Sequence, residues 1–280
     1  MTDFSDLKGK VAVITGGGGI IGLSLASGMG KAGITVVILD ISAERAVAAA
    51  DTVSAATGCR AAGLSADVTD KASLVKARDE IIKTFGTIDI LINCAGGNKP
   101  AATTGKEFIM AGDNELETTF FGLDIAGFDG VFNLNFRGTV LPTMVFTEEM
   151  VRRGKGNVLN ISSMNAFRPL TKIPAYSAAK AAINNFTQWL AVHFAPSGVR
   201  VNAIAPGFLL TNQNRFLLTD EKTGEMTPRG KKIIAATPMG RYAEPDELVG
   251  TMLYLLSDIS GFVTGIVIPV DGGFSAYSGV

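Results

Sequence analysis

The chain has 280 residues, 47% of them hydrophobic, and a formal net charge of −1. The near-zero charge argues against nucleic acid or an anionic membrane surface as a partner, and the apolar runs are too short and interrupted to predict a membrane span. Two cysteines do not make a disulfide framework and the N-terminus does not resemble a signal peptide, so we expect a cytoplasmic protein.

Apolar, β-branched runs alternate along the chain with alanine-rich segments of helical periodicity, such as 43–56 and 71–85. Strands buried on both faces have such continuous apolar runs, and strand–helix alternation is typical of a parallel sheet covered by helices. We therefore predict an α/β fold with one domain over residues 1–280, a Rossmann-like, doubly wound parallel sheet with helices on both faces. The predicted strand runs are 11–14, 35–39, 88–92, 157–161, 199–204 and 266–270.

The first predicted strand runs directly into a glycine-rich stretch, 15–22, in which Gly17, Gly19 and Gly22 fit the spacing G-x-G-x-x-G. A glycine turn at this place lets the backbone approach a pyrophosphate, and the following helix N-terminus supplies N–H donors. A tight turn without a ligand is the alternative. The position after the first strand favours a dinucleotide-binding loop.

Asp40 ends the second predicted strand, eighteen residues after Gly22. A carboxylate there accepts hydrogen bonds from the adenosine ribose and repels a 2′-phosphate, so it favours NAD (NADH), with NADP the less favoured coenzyme. The alternative is that Asp40 caps the next helix, a role that Ser42 can fill instead. Asp67 and Val68, which follow a third strand expected between the runs 35–39 and 88–92, are placed near the adenine.

The fourth strand ends in the small residues 93–96, which offer a floor under the cofactor. Two long irregular stretches then interrupt the regular alternation of strands and helices. Such connections in a compact domain are usually lids or binding loops. We expect an inserted loop at about 98–127 and a substrate loop at about 208–238.

Ser163 follows the fifth strand, thirteen residues before Tyr176, and Lys180 follows Tyr176 by four. Residues four apart share one face of a helix, so the ammonium of Lys180 can lie near the phenol and lower its pKa. A phenol tuned in this way can exchange a proton with an alcohol or carbonyl oxygen, to which Ser163 donates a hydrogen bond. A tyrosine and a lysine at this spacing also occur in helices without catalytic function.

Taken in order, these motifs resemble those of the short-chain dehydrogenase/reductase family over nearly the whole chain. One departure is Ile20, which stands where the family's T-G-x-x-x-G-x-G loop has a glycine, with Gly19 shifted by one position. The matching residues are Thr15, Gly16, Gly22, Asp67, Asn93, Ala95, Gly96, Asn135, Ser163, Tyr176, Lys180, Pro206, Gly207, Leu209, Thr211, Asp271, Gly272 and Gly273.

The resemblance implies a nicotinamide-dependent oxidoreductase acting on a CH–OH group, often assembled as a homotetramer. It implies that Tyr176 is the general acid/base, that Lys180 lowers its pKa and binds the nicotinamide ribose, that Ser163 polarises the substrate oxygen, and that Asn135 holds a water of the proton relay. No cluster of side chains has zinc spacing, so no metal is expected. The implied cofactor-binding residues are Gly16, Gly19, Ile20, Ile21, Asp40, Ile41, Asp67, Val68, Asn93, Ala95, Gly96, Tyr176, Lys180, Pro206, Gly207, Leu209 and Thr211.

Within the family, segments such as 162–174 and 274–280 resemble the branch of D-mannonate oxidoreductases, also called fructuronate reductases. That likeness implies a sugar-acid substrate, D-mannonate or D-fructuronate, whose carboxylate and hydroxyls need a cation and polar donors. The alternatives are another short-chain reductase, similar to a gluconate 5-dehydrogenase or a 3-oxoacyl reductase, and a dinucleotide-binding sensor without turnover. The candidate substrate-binding residues are Asn98, Lys99, Asn165, Arg168 and Lys172.

Overall fold

A computed structural model describes residues 3–210, 218 and 224–279 of the chain. Within these residues, parallel strands form one sheet. The strands are β1 Val11–Thr15, β2 Thr35–Asp40, β3 Ala61–Ser65, β4 Ile90–Asn93, β5 Gly156–Ile161, β6 Val199–Pro206 and β7 Val267–Val270. Their order is β3-β2-β1-β4-β5-β6-β7, so the chain reverses direction across the sheet between β1 and β4. This doubly wound, Rossmann-like sheet confirms the predicted fold class.

Helices cover both faces of the sheet. The α-helices are α1 Ile20–Lys31, α2 Ala43–Thr57, α3 Lys71–Phe85, α4 Ile125–Phe132, α5 Gly138–Phe146, α6 Glu148–Arg153, α7 Pro174–Phe194, α8 Pro228–Ala235 and α9 Val249–Leu256. Apolar residues of α1, α2 and α9 pack on one face of the sheet, and those of α3, α5 and α7 pack on the other. The two cores are therefore separated by the sheet.

The register of the strands explains why the apolar runs are continuous. Ile14 is paired with Ile38 and Ile92, and all three are buried in the core beneath α1 and α2. The preceding residues, such as Val13 and Val37, point to the opposite core. Because successive strand residues alternate between faces, a sheet covered on both sides needs apolar residues at nearly every position.

The third strand is the exception, because it consists mostly of small residues and its burial is only partial. A Cβ on Gly63 would lie 2.3 Å from the backbone of Ala46 in α2, so this strand needs a glycine where the helix crosses. The strand therefore lacks the apolar run that marks the others.

The first long stretch, predicted as a loop over 98–127, contains the 3₁₀ turns Pro100–Ala102, Leu116–Thr118 and Phe120–Gly122, and α4 begins within it at Ile125. In the second stretch, Leu209 forms an isolated bridge with Ala243, and α8 follows. Both stretches follow strands at the carboxyl edge of the sheet, where doubly wound folds bind their ligands.

Candidate active site

The predicted acid–base residues meet at the carboxyl end of β5. Ser163 follows this strand directly, while Tyr176 and Lys180 lie on the first turns of α7. Ser163 and Lys180 are buried, with exposed fractions of 8% and 4%. The Ser163 hydroxyl is hydrogen-bonded to the Tyr176 phenol. The structure thus brings all three residues together although thirteen residues separate Ser163 from Tyr176.

The pKa values of Tyr176 and Lys180 differ from the prediction. Burial raises the pKa of Tyr176 above its ordinary value of 10.0, and the hydrogen bond with Ser163 opposes this only in part. The predicted net lowering of the phenol pKa is therefore wrong. The reason is that loss of water favours the neutral form of both groups, and burial lowers the pKa of Lys180 itself from 10.5 to about 8.

Lys180 is held beneath the tyrosine ring by a backbone contact. Its Nζ donates a hydrogen bond to the carbonyl oxygen of Ile161 at 2.8 Å and lies 5.5 Å from the centroid of the Tyr176 ring. A Cβ on Gly96 would stand 3.3 Å from this Nζ and 2.6 Å from Oδ1 of Asn135. The glycine therefore leaves room for two side chains that face the same point.

Asn135 lies in a π-helical segment, Asn133–Arg137, between α4 and α5. Its Nδ2 donates to the carbonyl oxygens of Gly97 and Val131 at 2.7 and 2.8 Å, and its Oδ1 accepts from the N–H of Gly97 at 3.1 Å. One side chain thus binds both backbone groups of Gly97. Contact of Asn135 with a relay water stays a prediction, and π-helical segments of this kind are frequent at functional sites.

The glycine-rich stretch follows a tight path that explains Ile20. Gly16 has a φ of 63°, and a Cβ on it would lie 2.7 Å from Cα of Ala95. A Cβ on Gly22 would lie 2.5 Å from the carbonyl oxygen of Gly16. Gly19, by contrast, is an ordinary extended N-cap, and Ile20 is the first residue of α1. A side chain is tolerated there, and the first N–H groups of α1 still begin directly after the loop.

Thr15 joins this loop to the floor formed after β4. Its buried Oγ1 accepts hydrogen bonds from the N–H groups of Cys94 and Ala95 at 3.1 and 3.2 Å. Asn93 points inward, where its Nδ2 donates to a threonine of α5 and to Oδ1 of Asn160 at 2.8 Å. Its Oδ1 has no hydrogen-bond partner in the described part of the chain, and a cofactor contact by Asn93 stays a prediction. Burial raises the pKa of the Cys94 thiol to about 11, against the charge of the nearby lysine.

Asp40 closes β2 with 5% of its surface exposed. Its Oδ1 accepts hydrogen bonds from the N–H of Ser42 at 3.1 Å and from Nη2 of Arg45 at 2.6 Å. Ser42 Oγ in turn accepts from the N–H of Arg45, so Ser42 is the N-cap of α2 and Asp40 is not. The neighbouring Ile41 is 67% exposed. Arg45 was not predicted, and its spacing of five residues from Asp40 was the only sequence signal for it.

The other residues predicted to contact the cofactor near its adenine are engaged locally. Asp67 Oδ1 accepts from the backbone N–H and the hydroxyl of Thr69 at 2.8 and 2.7 Å. Val68 is buried, and its Cγ2 lies 2.9 Å from where a Cβ on Gly138 would stand. Ile21 packs against the core beneath α1. A cofactor contact by these side chains stays a prediction.

Pro206 ends β6, and the N–H of Gly207 donates to the carbonyl oxygen of Val270 at 2.9 Å. Leu209 is buried with an exposed fraction of 5%. These residues reach the same carboxyl edge of the sheet as Ser163 and the glycine loop. Thr211, also predicted to bind the cofactor, lies outside the described residues.

Among the substrate candidates, Asn165 is the one that is hydrogen-bonded to Ser163. Its N–H donates to Ser163 Oγ at 3.3 Å. The residue is 5% exposed, and its Oδ1 has no hydrogen-bond partner in the described part of the chain. Arg168 is exposed, and its Nε donates to the carbonyl oxygen of Ser275 at 3.2 Å. Arg168 therefore connects the loop after β5 with the C-terminal segment.

Lys172 has a φ of 73° and is the only non-glycine residue with positive φ among the described residues. Its carbonyl oxygen accepts from the N–H of Thr104 at 2.9 Å, so the loop before α7 is bonded to the first long stretch. Asn98 and Lys99 are exposed at the start of that stretch, and Asn98 Nδ2 donates to Thr103 Oγ1 at 2.9 Å.

A second contact, not found from the sequence, joins the two long stretches. Glu107 forms an ion pair with Lys232 of α8 at 3.0 Å. The hydrogen bond with Lys232 lowers the pKa of Glu107, and the charges of Lys172 and Arg229 act in the same direction. Glu107 is far in the sequence from all three of these cations, so no local pattern predicts the contact.

Two other kinds of site are absent from the described ranges. No group of three or more His, Cys, Asp or Glu side chains there could hold a metal ion. No helix in the same ranges is long and apolar enough to cross a membrane. The single histidine, His193, stacks on Trp189 at 4.9 Å near the end of α7.

Comparison with known proteins agrees with this geometry. A family model described as enoyl-(acyl carrier protein) reductase matches residues 18–275. An uncharacterized oxidoreductase of Bacillus subtilis is 50% identical over 277 residues, 98% of each chain. The 2-dehydro-3-deoxy-D-gluconate 5-dehydrogenase of Escherichia coli is 32% identical over 273 residues, 96% of this chain and 97% of that one.

A solved structure extends the likeness to three dimensions. A protein of Haemophilus influenzae, described provisionally as a D-mannonate oxidoreductase and solved with bound NAD, is 50% identical, has a TM-score of 0.92 and covers 98% of both chains. The similarity extends over nearly the whole chain and includes the edge where Ser163, Tyr176 and Lys180 meet. This chain belongs to the short-chain dehydrogenase/reductase family and is an NAD(P)-dependent oxidoreductase acting on a CH–OH group.

Proposed function

We propose that this enzyme interconverts a sugar acid and its keto form with NAD, and that D-mannonate and D-fructuronate are the pair. The observation that carries the proposal is the buried side-chain amide of Asn165, whose Oδ1 has no partner in the described part of the chain. The backbone N–H of the same residue donates to Ser163 Oγ, which places Asn165 beside the catalytic serine. The Haemophilus relative, described as a D-mannonate oxidoreductase, supports the same substrate class.

An unpaired buried amide costs about 1–3 kcal/mol, which a hydroxyl of the substrate would recover by donating to it. A substrate with several hydroxyl groups suits such a site. The acyl chain handled by a 3-oxoacyl reductase would leave Asn165 without a partner. The proposed pocket is therefore built for a polyol rather than for a hydrocarbon chain.

Tyr176 is proposed as the general acid of carbonyl reduction. Because burial raises its pKa, the phenol keeps its proton at neutral pH and is ready to give it to the ketone oxygen. Ser163 donates a hydrogen bond to the same oxygen, and the Lys180 ammonium stabilises the phenolate left behind. In the oxidative direction the same residues act in reverse, with Tyr176 accepting the alcohol proton.

The residues at the first strand fit a dinucleotide. A Cβ at Gly16 or Gly22 would collide with backbone atoms, as expected where a chain turns tightly beside a pyrophosphate. When bound, the nicotinamide supplies or accepts the hydride, and the protein positions the reacting groups. Asp40 is placed to bind the adenosine ribose, which favours NAD over NADP, and the exposed Ile41 beside it offers an apolar contact for the adenine.

The substrate carboxylate is proposed to meet Lys172. A non-glycine residue at positive φ costs about 1–3 kcal/mol, and such strain is retained mainly where function requires it. The hydrogen bond from Thr104 holds this backbone in place at the start of the catalytic helix. Arg168, exposed on the same loop, is the second candidate for the carboxylate.

Assembly as a homotetramer in the cytoplasm is part of the same proposal. Met144 of α5 and Trp189 and Val192 of α7 are 56%, 58% and 78% exposed. Large apolar side chains grouped on a surface are typical of contacts between subunits. Light scattering on the purified protein would test the tetramer directly.

A panel of substrates would test the function. We expect reduction of D-fructuronate by NADH, measured by loss of reduced-nicotinamide absorbance, with kcat/KM at least about tenfold above those for 5-keto-D-gluconate and an acetoacetyl thioester. Oxidation of D-mannonate with NAD should give the reverse reaction. Higher efficiency with the thioester would contradict the sugar-acid assignment, and equal efficiency with NADPH would contradict the coenzyme assignment.

A further inference from the structure

We infer that Arg45 is a positioning residue that sets the coenzyme preference of this enzyme through its ion pair with Asp40. The inference rests on the proposed contact between Asp40 and the adenosine ribose. It adds a residue on a different element, because Asp40 ends β2 whereas Arg45 lies in the first turn of α2.

The hydrogen bonds of Asp40 are divided unequally between its two oxygens. Oδ1 receives both donors, the guanidinium of Arg45 at 2.6 Å and the N–H of Ser42 at 3.1 Å. No described residue donates a hydrogen bond to Oδ2, which lies 2.8 Å from where a Cβ on Gly18 would stand. Arg45 therefore fixes the rotation of the carboxylate so that its second oxygen faces the glycine-rich loop.

The position of Arg45 is unfavourable for the helix itself. A cation in the first turn opposes the helix dipole, which favours acidic residues at that end. In a capping box, the third residue of the helix is Glu or Gln and accepts from the N-cap N–H. Here the third residue is Arg45, and Asp40 accepts from the N–H of the N-cap Ser42 instead. Helix stability thus gives no reason for an arginine at this position, whereas the contact with Asp40 does.

The ion pair between Asp40 and Arg45 has a second consequence for coenzyme choice. The Arg45 side chain is 57% exposed, and the Cβ and carbonyl carbon of this residue lie 3.0 and 3.3 Å from a Cβ placed on Gly18. It is therefore close to the position that a 2′-phosphate would take beside the ribose. In the native protein the guanidinium is occupied by the Asp40 carboxylate, and removal of that carboxylate would leave it available to bind phosphate.

Four proteins test the inference: wild type, Asp40→Ser, Arg45→Met and the double variant. Arg152→Met serves as the matched control, because Arg152 is also an exposed arginine paired with acidic residues on its own helix, α6. Binding of ADP and adenosine 2′,5′-bisphosphate is measured by calorimetry, and that of NADH and NADPH by nicotinamide fluorescence. None of these measurements requires turnover or a known substrate.

We expect Asp40→Ser to strengthen binding of the 2′,5′-bisphosphate about tenfold or more. The double variant should bind this ligand about tenfold more weakly than Asp40→Ser does. Arg45→Met alone should weaken binding of ADP and NADH severalfold without improving that of the bisphosphate. Arg152→Met should bind all four ligands as the wild type does. Thermal unfolding checks that each variant is folded, and Asp40→Asn replaces Asp40→Ser should the latter unfold.

Two failures are distinguishable. If Asp40→Ser gains affinity for the bisphosphate equally with and without Arg45, and Arg45→Met binds NADH as tightly as wild type, the role of Arg45 is refuted while that of Asp40 stands. If the preference between the two nucleotides is unchanged in Asp40→Ser and in Asp40→Asn, Asp40 does not bind the ribose. In that case both the proposed coenzyme contact and the inference fail.

Discussion

Raising the pH should reduce carbonyl reduction at the point where Lys180, rather than Tyr176, loses its proton. Burial lowers the pKa of Lys180 to about 8 and raises that of Tyr176 above 10.0. The lysine is therefore charged below about pH 8 and neutral above it, whereas the phenol keeps its proton throughout that range. Loss of the ammonium removes the charge that stabilises the developing phenolate.

The size of the effect follows from the burial of the amine. The lowering of the Lys180 pKa from 10.5 to about 8 corresponds to about 3 kcal/mol, by which burial favours the neutral amine relative to the same amine in water. We expect kcat/KM for reduction to be level below about pH 8 and to fall about tenfold for each further pH unit. In the oxidative direction the phenolate is required, so the rate should instead rise as the phenol begins to ionise.

The assay is the pH dependence of kcat/KM for D-fructuronate and NADH at constant ionic strength, with thermal unfolding followed over the same range. Cys94→Ala is the control, because this thiol is also buried beside Lys180 and has a pKa of about 11. The variant should keep the decrease near pH 8. A decrease that begins only above about pH 10, or one that disappears in Cys94→Ala, would refute the assignment to Lys180.

Three substitutions test the remaining geometry. Tyr176→Phe should lower kcat about a hundredfold or more while fluorescence titration shows NADH binding unchanged, and activity near wild type would contradict its role as the acid. Gly96→Ala should lower kcat about tenfold and reduce Tm, because its Cβ would lie 2.6 Å from Asn135 Oδ1. Gly250→Ala, with open space around the added Cβ, should do neither, and equal losses in both would refute the steric argument. Lys172→Asn should raise KM for the sugar acid about tenfold with little change in Tm, because Asn tolerates positive φ and lacks the charge, whereas an unchanged KM would exclude Lys172 from carboxylate binding.

Most of the fold could be predicted from the sequence because the signals are local. Continuous apolar runs mark the strands that are covered on both faces, and the glycine loop follows the first of them. β3 shows where this reasoning fails. Its small residues carry no run of their own, and Gly63 is explained only by the close crossing of α2.

The candidate catalytic residues could also be selected from the sequence, because a phenol, an amine and a hydroxyl have a defined chemistry and Tyr176 and Lys180 share a helix face. Their charge states could not be selected in this way. The sequence suggested that the lysine lowers the phenol pKa, but burial acts on both groups and reverses the direction for Tyr176. Desolvation depends on what packs around a group, and that surrounding comes from distant parts of the chain.

By itself, then, the sequence determined the strand–helix alternation and selected the candidate phosphate loop and the candidate proton-transfer residues. Each of these depends on neighbouring positions and on side-chain chemistry. Tertiary structure decided the contact of Arg45 with Asp40, the hold of Asn135 on Gly97 and the link between Glu107 and Lys232. These contacts depend on distances and burial that exist only once the elements are packed, because no local periodicity encodes them.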